Sequence, residues 1–323
     1  MSTGRATDAR SATAAPGYRV YPVEVAGRQR LGPNFVRITF GGDSLREFGF
    51  GGDDQRIKLM LPAPGRTVAD VPDGDGWYAA WQAMPEDTRP VLRTYTVRAF
   101  RPEAGELDVD FVLHGLENGH AGPASRWAAT ADRSGPVALV GPARPGTGRM
   151  WGVEWAPPAT ARRLLLAGDE TAVPAMASIV EALPPDARGI VCVEVPADGD
   201  RQSWRLPEGV EVRWSVRGDA ARPHGELLES AVRAALTELC GPGERAGTEH
   251  VDDVDIDGEG AILWEVPDAP TDQVDAAAGE LYGWLAGEAG VIKRLRRLMV
   301  NDHGVPRHAV AFMGYWRNGR SQL

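Results

Sequence analysis

The chain has 323 residues, 43% of them hydrophobic and 25% charged, and this length favours two domains over one small core. Its formal net charge of −10 argues against a nucleic-acid-binding protein, because neutralising phosphates requires a concentrated positive surface. Two cysteines cannot supply the four ligands that an iron–sulfur cluster usually needs. No apolar run approaches the ~20 residues that span a bilayer, and the polar stretch 1–17 lacks the apolar core of a signal peptide. The composition therefore predicts a cytoplasmic protein with a disordered tail over 1–17 and no membrane partner.

Residues 18–150 are predicted to form a first domain of short strands separated by turn residues. Each predicted strand carries β-branched or aromatic residues in near-alternation. These strands are Tyr18–Val25, Phe35–Phe40, Arg56–Leu61, Val91–Arg98, Leu107–His114 and Val137–Val140. About six strands of this kind, interrupted by one helix that starts near Gly122, predict a closed antiparallel β-barrel.

Residues 157–323 are predicted to form a second domain in which strands alternate with helices. The predicted strands are Arg163–Ala167, Gly189–Val195, Val210–Val216, Ala261–Val266 and His308–Gly314. The predicted helices are Ala172–Leu183, His224–Leu239 and one long helix, or two, over Thr271–Val300. Continuous apolar strands separated by amphipathic helices predict a doubly wound parallel α/β sheet. The Gly- and Asp-rich segment 241–260 is predicted to be an acidic surface loop.

The first motif with cofactor chemistry is Arg93-Thr94-Tyr95-Thr96 on a predicted strand. It offers a guanidinium for a phosphate, an aromatic ring for a flat cofactor ring, and hydroxyls for hydrogen bonds. Taken alone it is a weak signal, because such residues usually form a solvated strand face.

A second motif, Gly122-Pro123-Ala124-Ser125, lies at the predicted helix start in the same domain. Free amides at a helix N-terminus, together with a serine hydroxyl, make an anion site. The alternative is an ordinary proline-containing helix start in which Trp127 is a core aromatic.

A third motif, Gly168-Asp169-Glu170-Thr171, joins the first strand of the second domain to a helix that carries Pro174. Open α/β sheets bind ligands at the carboxyl ends of their strands. The motif departs from the usual G-x-G-x-x-G fingerprint and is weak on that rule alone.

In order and spacing these motifs resemble the ferredoxin–NADP reductase superfamily. Further segments are similar to the siderophore-interacting proteins, which are FAD-dependent ferric-siderophore reductases. The segments that carry this similarity are Phe111–Gly115, Gly122–Ala128, Leu166–Ala175, Trp284–Glu288 and Gly314–Gly319. The resemblance extends from about residue 18 to residue 319 and so covers nearly the whole chain.

The resemblance implies an FAD site in the barrel domain. Arg93 would bind the pyrophosphate and Tyr95 would pack on the flavin ring. Thr96 would hydrogen-bond near the reactive ring nitrogen, and His114 would lie along the ribityl–pyrophosphate part. The segment 122–125 would present amides and a hydroxyl to the pyrophosphate, with Trp127 nearby.

The resemblance also implies a cleft for NADPH or NADH. The residues that it places in this cleft are Gly168, Asp169, Glu170, Thr171, Pro174, Gly287 and Glu288. Tyr315 and Trp316 would cap the flavin, and the alternative for both is a buried aromatic at a domain seam. At the end of a strand, Glu194 would favour NADH by binding ribose hydroxyls, whereas Arg201 would favour the phosphate of NADPH.

The implied activity is electron transfer from NAD(P)H, or from reduced ferredoxin, through FAD to the Fe(III) of a siderophore, with release of Fe(II). Because ferric siderophores are often anionic, a basic rim is expected, and solvated side chains are the alternative. The candidates are Arg56, Lys58, Arg66, Arg144 and Arg149. No catalytic side chain and no resident metal site are assigned. A general flavin, quinone or ferredoxin-coupled reductase and a non-enzymatic siderophore-binding protein are the other candidates.

Overall fold

The computed structural model describes residues 17–74, 76–116, 119, 121–131, 136–143, 152–218, 222–240, 251, 263–267 and 280–319. Several predictions fall outside these residues. They are the tail 1–16, the basic residues Arg144 and Arg149, and nearly all of the acidic loop 241–260.

The first domain is a curled antiparallel sheet. Its strands are β1 (Tyr18–Arg30), β2 (Phe35–Gly41), β3 (Arg56–Leu61), β4 (Val91–Thr96), β5 (Ala99–Arg101), β6 (Glu106–Val112) and β7 (Val137–Pro142). They pair in the order β4-β3-β7-β1-β2-β6-β5. The two edge strands, β4 and β5, follow each other in the chain, so the sheet curls back on itself as the predicted barrel requires. Two helices accompany it, α1 (Trp77–Ala83) and α2 (Pro123–Thr130).

The pattern of β6 shows why these strands form. Leu107, Val109 and Phe111 are buried in the barrel core, because alternate side chains of a strand point to the same face. Asp108 and Asp110 point to the other face, where each binds an arginine. The alternation in the sequence thus corresponds to an inner and an outer barrel face.

The second domain is a doubly wound sheet, as predicted. Its strands are β8 (Arg163–Asp169), β9 (Arg188–Val195), β10 (Gly209–Val216), β11 (Trp264–Glu265), β12 (Leu281–Glu288) and β13 (Val310–Trp316). Its helices are α3 (Val173–Ala182), α4 (Glu226–Cys240) and α5 (Ala289–Arg297). The strand order is β10-β9-β8-β12-β13-β11, and β11 alone among these six strands pairs antiparallel. Helix α3 packs on one face of the sheet, and α4 and α5 pack on the other.

The prediction of one long helix, or two, over Thr271–Val300 is wrong for residues 281–288. This segment is β12, a central strand between β8 and β13 that is buried along its whole length. Because both faces of a central parallel strand are covered, its apolar residues form a continuous run, and three of them imitate helical spacing. A helix begins only at Ala289, where the Glu288 side chain accepts the backbone N–H of Val291.

A buried carboxylate in the loop before β3 joins the two domains. Asp54 is fully buried, and its Oδ1 accepts the backbone N–H groups of Glu154 and Trp155, each at 3.0 Å. Its Oδ2 accepts the indole N–H of Trp284 on β12 at 3.1 Å. Asp54 therefore binds the barrel to the linker and to the central sheet strand.

A second buried carboxylate lies elsewhere on the same seam. Asp200, after β9, accepts the backbone N–H of Asn34 at 2.8 Å and its side-chain amide at 2.7 Å. Together with Asp54 it fixes the orientation of the two domains.

Candidate functional site

The predicted flavin-contact residues lie on β4, an edge strand of the barrel sheet. By strand alternation Arg93 and Tyr95 share one face and Thr94 points to the other. The Tyr95 ring lies against Phe111, with ring centroids 4.3 Å apart, and burial raises the pKa of its hydroxyl. Thr96, at the end of the strand, is 6% exposed.

Arg93 has no carboxylate partner within the described part of the chain. Its guanidinium donates to the backbone carbonyl of Leu92 at 2.7 Å, and burial lowers its pKa. A half-buried cation without a counter-charge is suited to an anionic ligand.

The N-terminus of α2 is open to an anion. Pro123 occupies the first turn, and the N-cap residue Gly122 provides no side-chain cap, so the first amides keep their hydrogen-bonding capacity. The Ser125 hydroxyl donates to the carbonyl of Val112 at 3.2 Å and so ties α2 to β6. Trp127 stacks on Phe40, with centroids 6.0 Å apart and the planes 8° from parallel.

His114 follows β6 and reaches across the seam. Its Nδ1 lies 3.8 Å from Glu170 Oε1 in the second domain. Its Nε2 is buried and has no hydrogen-bond partner among the residues that the structure describes, and burial lowers the pKa of the ring.

These observations fit FAD. An uncapped helix start, an arginine with no carboxylate partner among the described residues, and an orphaned imidazole nitrogen together provide donors for a diphosphate and its linker. The ring of Tyr95 provides a flat apolar contact on the same strand as Arg93.

Asp169 organises the carboxyl end of β8. Its Oδ1 accepts the backbone N–H and the hydroxyl of Thr171, at 2.8 and 2.5 Å. Its Oδ2 accepts the backbone N–H of Glu288 at 2.8 Å and the indole N–H of Trp316 at 2.9 Å. His224 Nε2 lies 3.2 Å from the same oxygen. One carboxylate thus joins the ends of β8, β12 and β13.

Glu170 belongs to an adjoining ion-pair network. The Arg217 guanidinium donates to Glu170 Oε1 at 2.7 Å and to Glu194 Oε1 at 2.8 Å. Within the described part of the chain Glu170 Oε2 is buried without a partner, and burial, reinforced by the neighbouring Asp169 carboxylate, raises the pKa of Glu170 to about 7.

Asp169, Glu170 and His224 place ligand atoms within 4.8 Å of one another, a spacing that suits a metal ion. N–H donors already occupy both Asp169 oxygens, and Arg217 occupies Glu170 Oε1. We therefore interpret the trio as part of the hydrogen-bond network.

The expectation that Glu194 binds ribose hydroxyls is not met. The side chain is fully buried, and its oxygens accept the backbone N–H groups of Gly225 and Leu228 at 2.9 and 2.8 Å. Burial alone would raise its pKa, but Arg217 and these amides lower it. Glu194 therefore caps the start of α4, and Arg201, the other specificity candidate, pairs with Asp198 at 2.9 Å.

Two glycines of the predicted cleft are required by close packing. A Cβ on Gly168 would lie 2.5 Å from the Cβ of Ala172 and 2.6 Å from the carbonyl oxygen of Ala286. A Cβ on Gly287 would lie 2.7 Å from Asp169 Oδ2. Pro174, in the first turn of α3, is buried.

The two aromatic residues near the C-terminus, Tyr315 and Trp316, pack against different groups. The Trp316 ring lies 5.9 Å from the ring of His114 and 5.1 Å from that of His224, measured between centroids, so it faces both domains. Tyr315 stacks nearly parallel to Trp264 at 6.0 Å.

The described members of the predicted basic rim are Arg56 and Lys58, which lie two residues apart on β3, and Arg66 in the loop after that strand. Arg56 binds Glu154 at 2.7 Å, and its guanidinium lies 4.2 Å from the centroid of the Trp264 ring. Lys58 donates to the Thr94 hydroxyl at 2.6 Å. Arg66 is exposed in the loop after β3.

Sequence reasoning did not identify Arg217, His224 or Asp54 as members of the site. Arg217 directly follows β10 and His224 precedes α4. The rule that ligands gather at the carboxyl ends of parallel strands would have singled out Arg217, whereas Asp54 carried no local signal.

This architecture defines the class of protein: a barrel-type FAD-binding domain followed by a doubly wound domain, as in the ferredoxin-reductase-like flavin reductases. Residues 24–146 match the siderophore-interacting FAD-binding domain, and residues 161–319 match the siderophore-interacting protein family. The chain belongs to the siderophore-interacting protein family.

Individual relatives agree with this assignment. The chain is 34% identical over 310 residues to an uncharacterized protein of Mycobacterium tuberculosis, covering 95% of this chain and 93% of the relative. It is 26% identical over 307 residues to the ferric vibriobactin reductase ViuB of Vibrio cholerae, covering 94% and 92%. The crystal structure of the siderophore-interacting protein SipS from Aeromonas hydrophila is similar, with a TM-score of 0.63, 29% identity, and coverage of 94% of this chain and 93% of that one.

Among the residues that the structure describes, none of the helices combines the length and the apolar character needed to cross a bilayer.

Proposed function

We propose that the protein is an FAD-dependent reductase that transfers electrons from NAD(P)H, or from reduced ferredoxin, to the Fe(III) of a siderophore and releases Fe(II). Two observations carry the proposal, an arginine, Arg93, with no carboxylate partner among the described residues and an uncapped start of α2, both in a barrel domain that matches a siderophore-interacting FAD-binding domain. A protein that only bound siderophores would not need this diphosphate site. The ferric vibriobactin reductase among the relatives supports the same activity.

FAD would supply the step from a two-electron donor to one-electron acceptors. Arg93 and the amides at the start of α2 would bind its diphosphate, and Tyr95 would orient the ring. The barrel core behind Tyr95 excludes water from that side of the ring.

The nicotinamide side of the proposal depends on the cleft at the ends of β8, β12 and β13. Trp316 stands between His114 and His224 and is held by Asp169. It is therefore positioned to control how closely a nicotinamide donor approaches the flavin site.

The proposal is tested on purified protein loaded with FAD under anaerobic conditions. We expect NADH or NADPH to bleach the flavin absorbance, and a ferric siderophore to restore it while a ferrous chelator gains colour. A bleached flavin that no ferric siderophore reoxidises would contradict the proposal and would favour a general flavin, quinone or ferredoxin-coupled reductase.

Replacement of Arg93 by methionine tests the FAD site itself. Loss of one charge-assisted contact to a diphosphate, which contributes about 1.5–3 kcal/mol, should weaken FAD binding by roughly ten- to a hundredfold. Equilibrium dialysis of the apoprotein against FAD measures this change. Arg188→Met, in an exposed position at the start of β9, is the matched control, and equal affinities for all three proteins would contradict the assignment.

A further inference from the structure

Three buried carboxylates gather at the carboxyl ends of β8 and β9. Asp169, Glu170 and Glu194 are each no more than 2% exposed. The Arg217 guanidinium bridges two of them, at 2.7 Å from Glu170 Oε1 and 2.8 Å from Glu194 Oε1. Because one shared guanidinium does not balance three carboxylates, burial and repulsion favour a proton on one member of the group. Glu170 is that member, since its pKa is raised to about 7.

His114 reaches this group from the barrel. Its Nδ1 lies 3.8 Å from Glu170 Oε1. The side chain is 44% exposed, yet its Nε2 is buried. In the part of the chain that the structure describes, neither this nitrogen nor Glu170 Oε2 has a hydrogen-bond partner. Buried polar atoms are nearly always paired, so these two atoms indicate a site that a ligand or a proton completes.

His114 also lies beside the open start of α2. Its backbone N–H donates to the Ser125 hydroxyl at 3.5 Å. Ser125 belongs to the first turn of this helix, which has no side-chain cap. An anion bound at the helix start would therefore have His114 as a neighbour. The residue thus connects an anion site in one domain to a buried carboxylate in the other.

The charged groups around the pair keep the imidazole neutral before FAD binds. Burial lowers the pKa of His114 below its ordinary value, the Asp169 carboxylate opposes this, and Arg217 reinforces it. Three further titratable residues contact Asp169 or Arg217, namely Glu194 at the end of β9, His224 before α4 and Glu288 at the end of β12. Near neutral pH the exchangeable proton of the pair is therefore on Glu170.

We propose that the His114–Glu170 pair takes up one proton from solvent when FAD binds, so that an imidazolium lies between the diphosphate and the Glu170 carboxylate. The inference rests on the proposed function and adds proton-linked regulation of its FAD site. The imidazolium donates from Nε2 to the diphosphate, and its Nδ1–H is directed to Glu170. Charge-assisted interactions with both anions favour the protonated ring. The step forms one N–H bond and transfers no electron.

The two members of the pair give this uptake a defined pH range. The pKa of Glu170 is about 7 and that of His114 is lowered, so at about pH 8 the pair holds no proton before FAD binds. At about pH 6 Glu170 already carries a proton, which passes to His114 without net uptake. The Kd for FAD should therefore rise roughly tenfold between about pH 7 and 8.5 and change little below about pH 6.5.

The test is isothermal titration calorimetry of the full chain, stripped of FAD, in two buffers that differ in ionisation enthalpy. The buffer dependence of the binding enthalpy gives the number of protons taken up for each FAD bound. We expect about one proton at about pH 8 and almost none at about pH 6. FAD itself does not change its charge in this range, so the proton is taken up by the protein.

Two variants assign the proton to the pair. His114→Asn and Glu170→Gln should each lose most of the uptake at about pH 8. The first removes the base beside the diphosphate, and the second removes the counter-charge of the imidazolium while Arg217 still repels it. The matched controls are His308→Asn, at an exposed position, and Glu211→Gln, at a surface glutamate paired with Arg213. Both controls should take up the same proton as the parent protein.

A second measurement does not require a variant that binds FAD. In spectra of the parent protein with ring-nitrogen-labelled histidine, the His114 imidazole should change from the neutral to the protonated form when FAD is added at about pH 8. His114→Asn serves here only to assign the His114 signals.

Four results would overturn the inference. They are FAD binding at pH 8 without proton uptake, an uptake that is equal at pH 6 and pH 8, an uptake that Glu170→Gln leaves unchanged, and a His114 ring that stays neutral. Proton-linked FAD binding by a protein that reduces no ferric siderophore would contradict the proposed function alone. Reduction of ferric siderophores by a protein that binds FAD without proton uptake would contradict this inference alone.

Discussion

At the scale of single residues, the second domain is organised by buried charge at the carboxyl ends of its strands. Arg217 is the cation of the Glu170–Arg217–Glu194 network, and both of its partners are almost fully buried. A buried ion pair contributes little compared with apolar packing, but removal of one partner leaves an uncompensated charge.

Arg217→Met should therefore destabilise the protein by about 3–5 kcal/mol, measured by urea unfolding. Arg213→Met is the matched control, because Arg213 also bridges two glutamates, Glu211 and Glu238, but at the surface. An exposed bridge of this kind contributes about 0–1 kcal/mol. An equal decrease in the free energy of unfolding in the two variants would show that burial of the ion pair does not determine how much its removal destabilises the protein.

The raised pKa of Glu170 makes a prediction about pH. A carboxyl that titrates at about 7 in the folded protein and near its ordinary value when unfolded binds more protons in the folded state. Stability from this group is therefore lost as the pH rises from about 4.5 towards 7. Glu170→Gln cannot ionise, so its stability relative to the parent should be greater at pH 8 than at pH 5.5, as compared by urea midpoints. A difference that is constant or reversed would show that Glu170 is ionised throughout.

At the scale of elements, the amphipathic strands and helices could be predicted from sequence, and the exceptions have identifiable causes. The alternation in β6 reflects one face that packs in the apolar barrel core and another on which the buried Asp108 and Asp110 bind arginines. In β12 both faces are buried, which removes the alternation and leaves a run that imitates a helix. Helix α1 spans only seven residues and packs on the barrel through Trp77 and Trp81, and so short a segment does not establish a helical period.

The site shows the same division. Arg93, Tyr95 and the start of α2 were singled out from local motifs, and their contact with FAD stays a prediction. By contrast, His224 and Trp316, which contact Asp169, lie 55 and 147 residues from it along the chain. Only the folded sheet brings these residues together.

Gly283→Ala tests the assignment of β12 as a central strand. A Cβ at this position would lie 2.7 Å from Val310 Cγ1 and 3.2 Å from Met299 Cε, so overpacking should cost about 1–3 kcal/mol. Gly76→Ala, where a Cβ meets nothing within 4 Å, should change the unfolding free energy by less than about 0.5 kcal/mol. Matching values would mean that Gly283 is not packed against Val310 and Met299 as a central strand requires.

At the scale of the whole molecule, Asp54 and Asp200 bind the two domains into one unit across the seam. Their hydrogen bonds join loops of the barrel to the linker, to β12 and to the segment after β9. A fixed seam holds β4, the strand of Arg93 and Tyr95, and the carboxyl ends of the sheet in one relative position.

Asp54→Ala should loosen this seam. It leaves the N–H groups of Glu154, Trp155 and Trp284 without their acceptor, and each buried unpaired donor costs about 1–3 kcal/mol. Calorimetry should show the single unfolding transition of the parent separating into two, one for each domain. Asp43→Ala, at an exposed carboxylate of the barrel, should keep one transition, and an unsplit transition in Asp54→Ala would contradict a seam held by this residue.

The most direct test of the account is the yield of Fe(II) for each nicotinamide consumed by the FAD-loaded protein with an excess of ferric siderophore. A hydride carries two electrons and each ferric ion accepts one. We therefore predict two ferrous ions captured by the chelator for each NADH or NADPH oxidised, in the absence of oxygen. Oxidation of the nicotinamide without any ferrous iron would contradict ferric-siderophore reduction as the function of this protein.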